Sequence, residues 1–179
     1  NALLEKADNP FPDVDTESSV YKPMRESLDV TFAQNFTRAA GKFVYCENET
    51  DLAEKLKYII AQHKTNSIYC FEQGLVPVLG EYEIPFSSQA GELNVVGIGI
   101  SFCESLVART GSVLVSSRQL SGRRINALSD THIIVADTSQ LLPDIRDALS
   151  RLKEKYSNQL PSAITLITGP SRTADIEKT

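Results

Sequence analysis

Apolar residues return along this chain at two spacings. Short continuous runs alternate with stretches in which they recur every three or four positions, and that alternation predicts strands and helices in turn. Leu28, Phe32, Phe36 and Ala39 share one side of a helix predicted over residues 26–40, with Gly41 as its stop. Residues 42–46 predict a strand. Asn48 or Thr50 caps a helix over residues 51–62, where Leu52, Leu56, Ile59 and Ile60 keep helical spacing. Residues 67–70 predict a second strand. Residues 71–80, interrupted by Gly74, Pro77 and Gly80, read as either a short helix or a loop, and residues 81–92 as a polar connection.

The second half keeps the same rhythm. Residues 93–100 are apolar apart from Asn94 and two glycines, which predicts a strand buried on both faces. A short helix is predicted over residues 102–108, a strand over 112–116, a helical turn over 121–128 and a strand over 131–136. Residues 142–156 form an amphipathic pattern, with Asp137, Thr138 and Ser139 as cap-type residues before it. The run Ala163-Ile164-Thr165-Leu166-Ile167-Thr168 predicts a buried strand leading into a tight turn and a helix start at residues 169–177. Strands alternating with helices predict an α/β sandwich with a largely parallel sheet. Residues 1–25, polar and carrying Pro10, Pro12 and Pro23, read as an extended N-terminal arm, and residues 26–179 as a single domain.

Bulk properties narrow the function classes. The 179 residues suit one domain with one sizeable core, and 41% hydrophobic with 23% charged residues is ordinary for a globular protein. A net charge of -5 argues against a nucleic-acid-binding surface. No apolar run approaches the roughly 20 residues that span a bilayer. No basic and apolar leader is seen at the first residues, and the chain begins with Asn1 rather than Met, so its start is expected to have been removed or left out. Cys46, Cys70 and Cys103 are odd in number and far apart, which predicts reduced thiols and a cytoplasmic location.

Three segments carry candidate chemistry. In Gly169-Pro170-Ser171-Arg172-Thr173-Ala174-Asp175-Ile176-Glu177, a strand-to-helix turn aims backbone N–H groups at one point. Gly169 allows close approach, Ser171 or Thr173 caps the helix or faces a ligand oxygen, and Arg172 offers a planar cation to a carboxylate or phosphate. A well-capped helix start with Asp175 and Glu177 opposing the dipole explains the same residues. In residues 116–124, Arg118, Arg123 and Arg124 accompany hydroxyls and a glycine after a strand, a set able to hold a phosphate or a dianionic acid. Glu104, after the long buried strand, is a candidate base or nucleophile, or simply a helix N-terminal acid. His132 is a candidate acid or base, or a hydrogen-bonded structural histidine, and His63 reads as a dipole partner at a helix end. There is no iron–sulfur cysteine run, no H-E-x-x-H and no phosphate-binding G-x-x-x-x-G-K-[ST], and Gly97 with Gly99 forms only a fragment of a dinucleotide fingerprint. The chain therefore offers no redox-centre ligands of its own.

The 169–177 segment, preceded by its apolar strand, resembles the signature of lactate-utilization (LUD) domains of the lactate utilization protein C type. Val96-Gly97-Ile98-Gly99-Ile100, Ala108-Arg109-Thr110-Gly111-Ser112, His132-Ile133-Ile134-Val135 and Leu142-Pro143-Asp144-Ile145 resemble further family stretches, in the family's order. Arg109 departs from the acidic residue many members carry. Members also run on past the position of Thr179 into another apolar strand and a His-Gly-Pro stretch, so a last strand or ligand-binding segment is expected to be missing here.

The resemblance implies a three-layer αβα sandwich with a largely parallel open sheet, like that of ribose-5-phosphate isomerase A and CoA transferases. It places 101–105, 116–124 and 169–173 on one ligand-collecting rim. Thr110, Gly111 and Ser112 join the expected ligand-binding set; as residues alone they read equally as a turn entering a strand. The implied role is that of an accessory subunit in oxidising L-lactate to pyruvate, binding a small anionic ligand or partner subunits. No cofactor is expected in this chain, and iron–sulfur clusters are expected in the partner subunits. A stand-alone enzyme or binding protein for a phosphorylated sugar, folate or CoA-type metabolite is the other reading, and a pure scaffold a third.

Overall fold

The structure, a computed structural model, describes residues 23–63, 65–89, 96–157 and 159–170. Residues 1–22, most of the expected N-terminal arm, lie outside the described residues, as do Ser171, Arg172 and Thr173. In chain order the elements are α1 (Leu28–Arg38), α2 (Glu49–Gln62), β1 (Ile68–Cys70), α3 (Val76–Glu81), β2 (Val96–Phe102), β3 (Ser105–Val107), β4 (Ser112–Ser116), α4 (Gly122–Leu128), β5 (Ser129–Val135), β6 (Leu141–Leu142), α5 (Ile145–Tyr156) and β7 (Ile164–Ile167).

The α/β expectation holds, and the strands divide into two sheets. The first has the order β1-β2-β5 and is parallel throughout. Its central strand β2 is buried along nearly its whole length, as its apolar run requires. Leu56 of α2 and Leu79 of α3 pack with Ile68, Ile98 and Ile100 in one cluster, and Ile125 of α4 packs with Tyr69 and Val96 in another. The second sheet has the order β6-β3-β4-β7. Here β3 pairs parallel with β6, while β3 with β4 and β4 with β7 run antiparallel. Phe32 of α1 covers Val113 and Val115, and Ala148 and Leu152 of α5 cover Val107 and Leu114. Successive residues of β4 thus serve opposite helical layers, as strand periodicity dictates. Ile134 and Ala136 reach into the α1 cluster and join the two sheets.

Four local expectations are corrected. Residues 102–108 contain strand β3, not a helix, because Leu106 and Val107 turn back onto β4 through a hairpin closed by Gly111 at φ 60. Residues 42–46 have no strand pairing among the described residues; Phe43, Val44 and Tyr45 are 40%, 46% and 59% exposed. The amphipathic helix starts at Ile145, not 142. Pro143 disfavours helix in Leu142, which instead extends β6, and Asp144 with Asp147 forms the capping box. Asp137 caps only the 3-10 turn Thr138–Gln140. Finally, among the described residues β7 is bonded to β4 alone, and there Ile164 and Leu166 are 39% and 38% exposed rather than buried.

Helix α1 closes one end of the second sheet. Its left-handed C-terminal residue is Ala40 at φ 67, with the Gly41 N–H bonded to the Phe36 carbonyl 2.9 Å away. Asn35 Nδ2 donates to the carbonyls of Ala108 and Arg109, both at 3.0 Å. A Cβ on Gly111 would strike the backbone of Asn35 and Phe36, and one on Gly169, at φ 74, would strike the Ala39 carbonyl oxygen. Gly111→Ala and Gly169→Ala should each cost about 2 kcal/mol or more, from a disfavoured backbone plus a backbone clash. Gly80→Ala, where a Cβ meets nothing within 4 Å on α3, should be neutral or stabilising by up to about 1 kcal/mol. Urea denaturation of the three variants checks this; equal small effects at all three would contradict it.

Candidate functional site

The carboxyl end of β4 is the chemically richest place among the described residues. Glu104 follows β2 and precedes β3, and its backbone N–H is bonded to the Leu114 carbonyl at 2.8 Å. Its side chain is only 2% exposed. Ser116 Oγ donates to Glu104 Oε1 at 2.6 Å, Tyr156 OH donates to the same oxygen at 2.8 Å, and Lys155 Nζ donates to Oε2 at 2.7 Å. Burial by itself raises the pKa of Glu104, but the Lys155, Ser116 and Tyr156 hydrogen bonds outweigh it and hold the carboxyl below its ordinary value. Burial lowers the pKa of Lys155, and its bond to Glu104 more than reverses that. The Tyr156 hydroxyl is pushed up by burial and by the same carboxylate. A carboxylate so occupied is a poor proton acceptor, and its geometry suits holding parts together.

What it holds is the basic loop. Ser116 Oγ also accepts the Arg118 N–H at 3.2 Å, and Gln119 Oε1 accepts the Ser116 N–H at 2.9 Å while Gln119 Nε2 donates to the Phe102 carbonyl at 2.8 Å. The exposed Arg118 donates from Nη2 to the Gln159 carbonyl at 3.1 Å. Beyond it, Ser121 Oγ donates to Glu72 Oε1 at 2.5 Å, and both residues are buried. Arg123 and Arg124 lie in α4; Arg124 is exposed, and the side chain of Arg123 lies outside the described residues. Glu72, Lys155 and Tyr156 were not visible as site residues in the sequence. Glu72 follows a three-residue strand, and the Lys155-Tyr156 pair looks like the ordinary end of an amphipathic helix.

The other candidates lie elsewhere. Strand β7 runs antiparallel to β4, with Ile164 opposite Ser116 and Ile167 opposite Val113. The Ser117 N–H accordingly bonds to the Ala163 carbonyl at 3.0 Å, at the start of β7. Gly169 therefore leaves the sheet at the opposite end from the basic loop. The single rim expected for 101–105, 116–124 and 169–173 is corrected at Gly169: 101–105 and 116–119 meet, Gly169 stands about 15 Å away, one strand length, and 171–173 lie outside the described residues. It stands instead by the Thr110-Gly111-Ser112 turn, where Ser112 Oγ lies 2.7 Å from both Thr110 Oγ1 and Thr168 Oγ1. Arg109 Nε pairs with Asp144 Oδ2 at 2.8 Å, so two of the motif segments meet at the cap of α5. His132, on β5, places Nε2 2.8 Å from Ser101 Oγ, and burial pushes its pKa down to about 4. Among the described residues no group of three or more His, Cys, Asp or Glu side chains is placed to hold a metal ion. No described helix is long and apolar enough to cross a membrane.

Comparisons with known proteins agree with this architecture. Residues 30–179 match the family described as LUD domain. The chain is 30% identical over 164 residues to lactate utilization protein C of Anoxybacillus flavithermus, covering 85% of this chain and 72% of that protein. It is 34% identical over 151 residues to lactate utilization protein C of Bacillus velezensis, covering 79% of this chain and 63% of that protein. A shorter match, 35% over 103 residues to lactate utilization protein C of Geobacillus kaustophilus, covers 56% of this chain and only 40% of that protein. A crystal structure of a DUF162 family protein from Deinococcus radiodurans has the same fold, with a TM-score of 0.62 at 17% identity over 79% of this chain and 87% of that one.

The low pKa of His132 has a signed consequence. The unfolded chain takes up a proton on this residue near pH 6.5, whereas the folded chain resists until about pH 4. The stability that follows from a neutral His132 is full above pH 6.5 and is lost as pH falls toward 4. NMR titration should show His132 still neutral at pH 5.5, and a His132→Gln variant should lose less stability than wild type between pH 7 and pH 5. A His132 that titrates near 6.5 would contradict this.

Proposed function

We propose that this chain, which belongs to the LUD domain family, serves lactate utilization as an accessory subunit of the system that oxidises L-lactate to pyruvate. The observation that carries the reading is the match to lactate utilization protein C over 85% of the chain. In this reading the electrons pass to iron–sulfur clusters in partner subunits, and this chain supplies a binding surface. The thiols of Cys70 and Cys103 support that division of labour. They lie in different core clusters, whereas the cysteine ligands of an iron–sulfur cluster converge on one point. The three cysteines are free, and two are buried in separate clusters. Reduced thiols also suit the cytoplasm.

The basic loop is the proposed contact for a small carboxylate such as lactate. Arg118 and Arg124 are exposed on or just after a loop whose Ser116, Gln119 and Ser121 side chains are turned inward, and Arg123 adds a third cation in a chain of net charge -5. A planar guanidinium grips a carboxylate with parallel hydrogen bonds. The contact expected of Gly169, Ser171, Arg172 and Thr173 is a separate one in this reading: Gly169 follows Thr168, whose hydroxyl meets Ser112 of the Thr110-Gly111-Ser112 turn, while Ser171, Arg172 and Thr173 lie outside the described residues. Glu104 and His132 have no chemical step here: one is engaged by three donors, and the other is hydrogen-bonded and neutral.

Affinity purification of the native protein from cells grown on L-lactate tests the proposal. Cysteine-rich iron–sulfur subunits should co-purify, and deleting the gene should slow growth on L-lactate but not on glucose. Purification of the chain alone, with unimpaired growth on L-lactate, would overturn it.

A further inference from the structure

The basic loop is suspended between two buried carboxylates that lie on different strands' exits. Glu104 takes the Ser116 hydroxyl at one end, and Glu72 takes the Ser121 hydroxyl, with the Ser121 N–H 3.4 Å away, at the other. Between these anchors the side chains divide. Gln119 turns inward to the Ser116 N–H and the Phe102 carbonyl, while Arg118 and Leu120 face solvent, Leu120 at 58% exposure. Glu72 is itself fixed, since its carbonyl accepts the Leu75 and Val76 N–H groups at the start of α3. Glu104 is fixed from α5 by Lys155 and Tyr156.

We propose that Glu72 and Glu104 are positioning residues for anion recognition by this loop. They hold the backbone from which Arg118 is presented, and they do not touch the ligand. The inference rests on the reading of the loop as a carboxylate or phosphate contact. Its physical basis is that both hydrogen bonds are made inside the protein, where water does not compete, and that the one to the ionised Glu104 is charge-assisted. A loop fixed at both ends loses less freedom when its arginine engages a ligand, so pre-ordering appears as affinity. Ser116 transmits the constraint directly, because the hydroxyl that donates to Glu104 accepts the Arg118 N–H.

Amide exchange and ligand titration by NMR on the full chain test this. Glu104→Gln should raise exchange at Ser116 and Arg118 by about tenfold, and Glu72→Gln should do so at Ser121, with α2 amides unchanged. Titrated with L-lactate and, separately, inorganic phosphate, each variant should show a Kd about five- to tenfold weaker than wild type. In an Arg118→Ala background, Glu104→Gln should change the Kd less than twofold, a non-additivity that general loosening of the fold would not produce. Ser116→Ala and Ser121→Ala remove the same bonds without placing an amide in the carboxylate site, and they replace any Gln variant that does not fold. Unchanged exchange across 116–121, or an equal loss of affinity with and without Arg118, would overturn the proposal. A wild-type chain that binds neither anion would refute the anion reading separately, and the exchange data would still decide the anchoring.

Discussion

Glu104 carries a charge into an interior where its side chain is 2% exposed, and the surrounding elements converge to satisfy it. Removing a carboxylate from water costs several kcal/mol, so such a group persists only where donors replace its hydration. Here three donors come from two elements, β4 and α5, while the carboxylate sits at the entrance to β3. One group thereby fixes the last turn of α5 against the second sheet and sets the exit path of β4. Lys155 remains 58% exposed at its own side chain, so it neutralises the buried charge without burying its own. Loss of the lysine would leave the carboxylate with two hydroxyl donors, at a cost of about 1–3 kcal/mol.

The opposite end of the second sheet is held by shape instead of charge. There α1 presses its C-terminal backbone onto Gly111 and Gly169, and Asn35 binds the hairpin carbonyls. The sheet is thus pinned at one end by glycines that admit a helix terminus and at the other by a buried carboxylate with an exposed lysine as its partner. This polarity separates two clusters that a purely parallel sheet would have merged. The basic loop belongs with the carboxylate end, and the motif residues 110–112 and 168–169 belong with the helix end.

Much of this was legible in the chain. The 3.6-residue spacing of Leu52, Leu56, Ile59 and Ile60 and the apolar run through Ile98 and Ile100 specify their elements without reference to anything distant. The resemblance in motif order led to the family. Strand direction was not legible. Residues 102–108 carry a pattern compatible with helix, and only pairing with β4 makes them a strand. Once β3 turns back, β4 and β7 run antiparallel, and Gly169 comes to the far end. The donors to the buried Glu104 were equally hidden. Lys155 and Tyr156 lie 51 and 52 positions away, and no local pattern marks a lysine whose partner is an internal acid. Leu106 and Gly111 show the limit at short range: Thr110-Gly111-Ser112 reads as a turn entering a strand, but the apolar spacing before it fits a helix equally well.

The central claim is that Glu104 stays ionised inside the fold because Lys155, Ser116 and Tyr156 hold it so. A carbon-13 NMR titration of its side-chain carboxyl measures this directly. The account predicts a pKa below the ordinary glutamate value of 4.5, rising toward or above it in Lys155→Met. A wild-type Glu104 that titrates at or above 4.5 would contradict it.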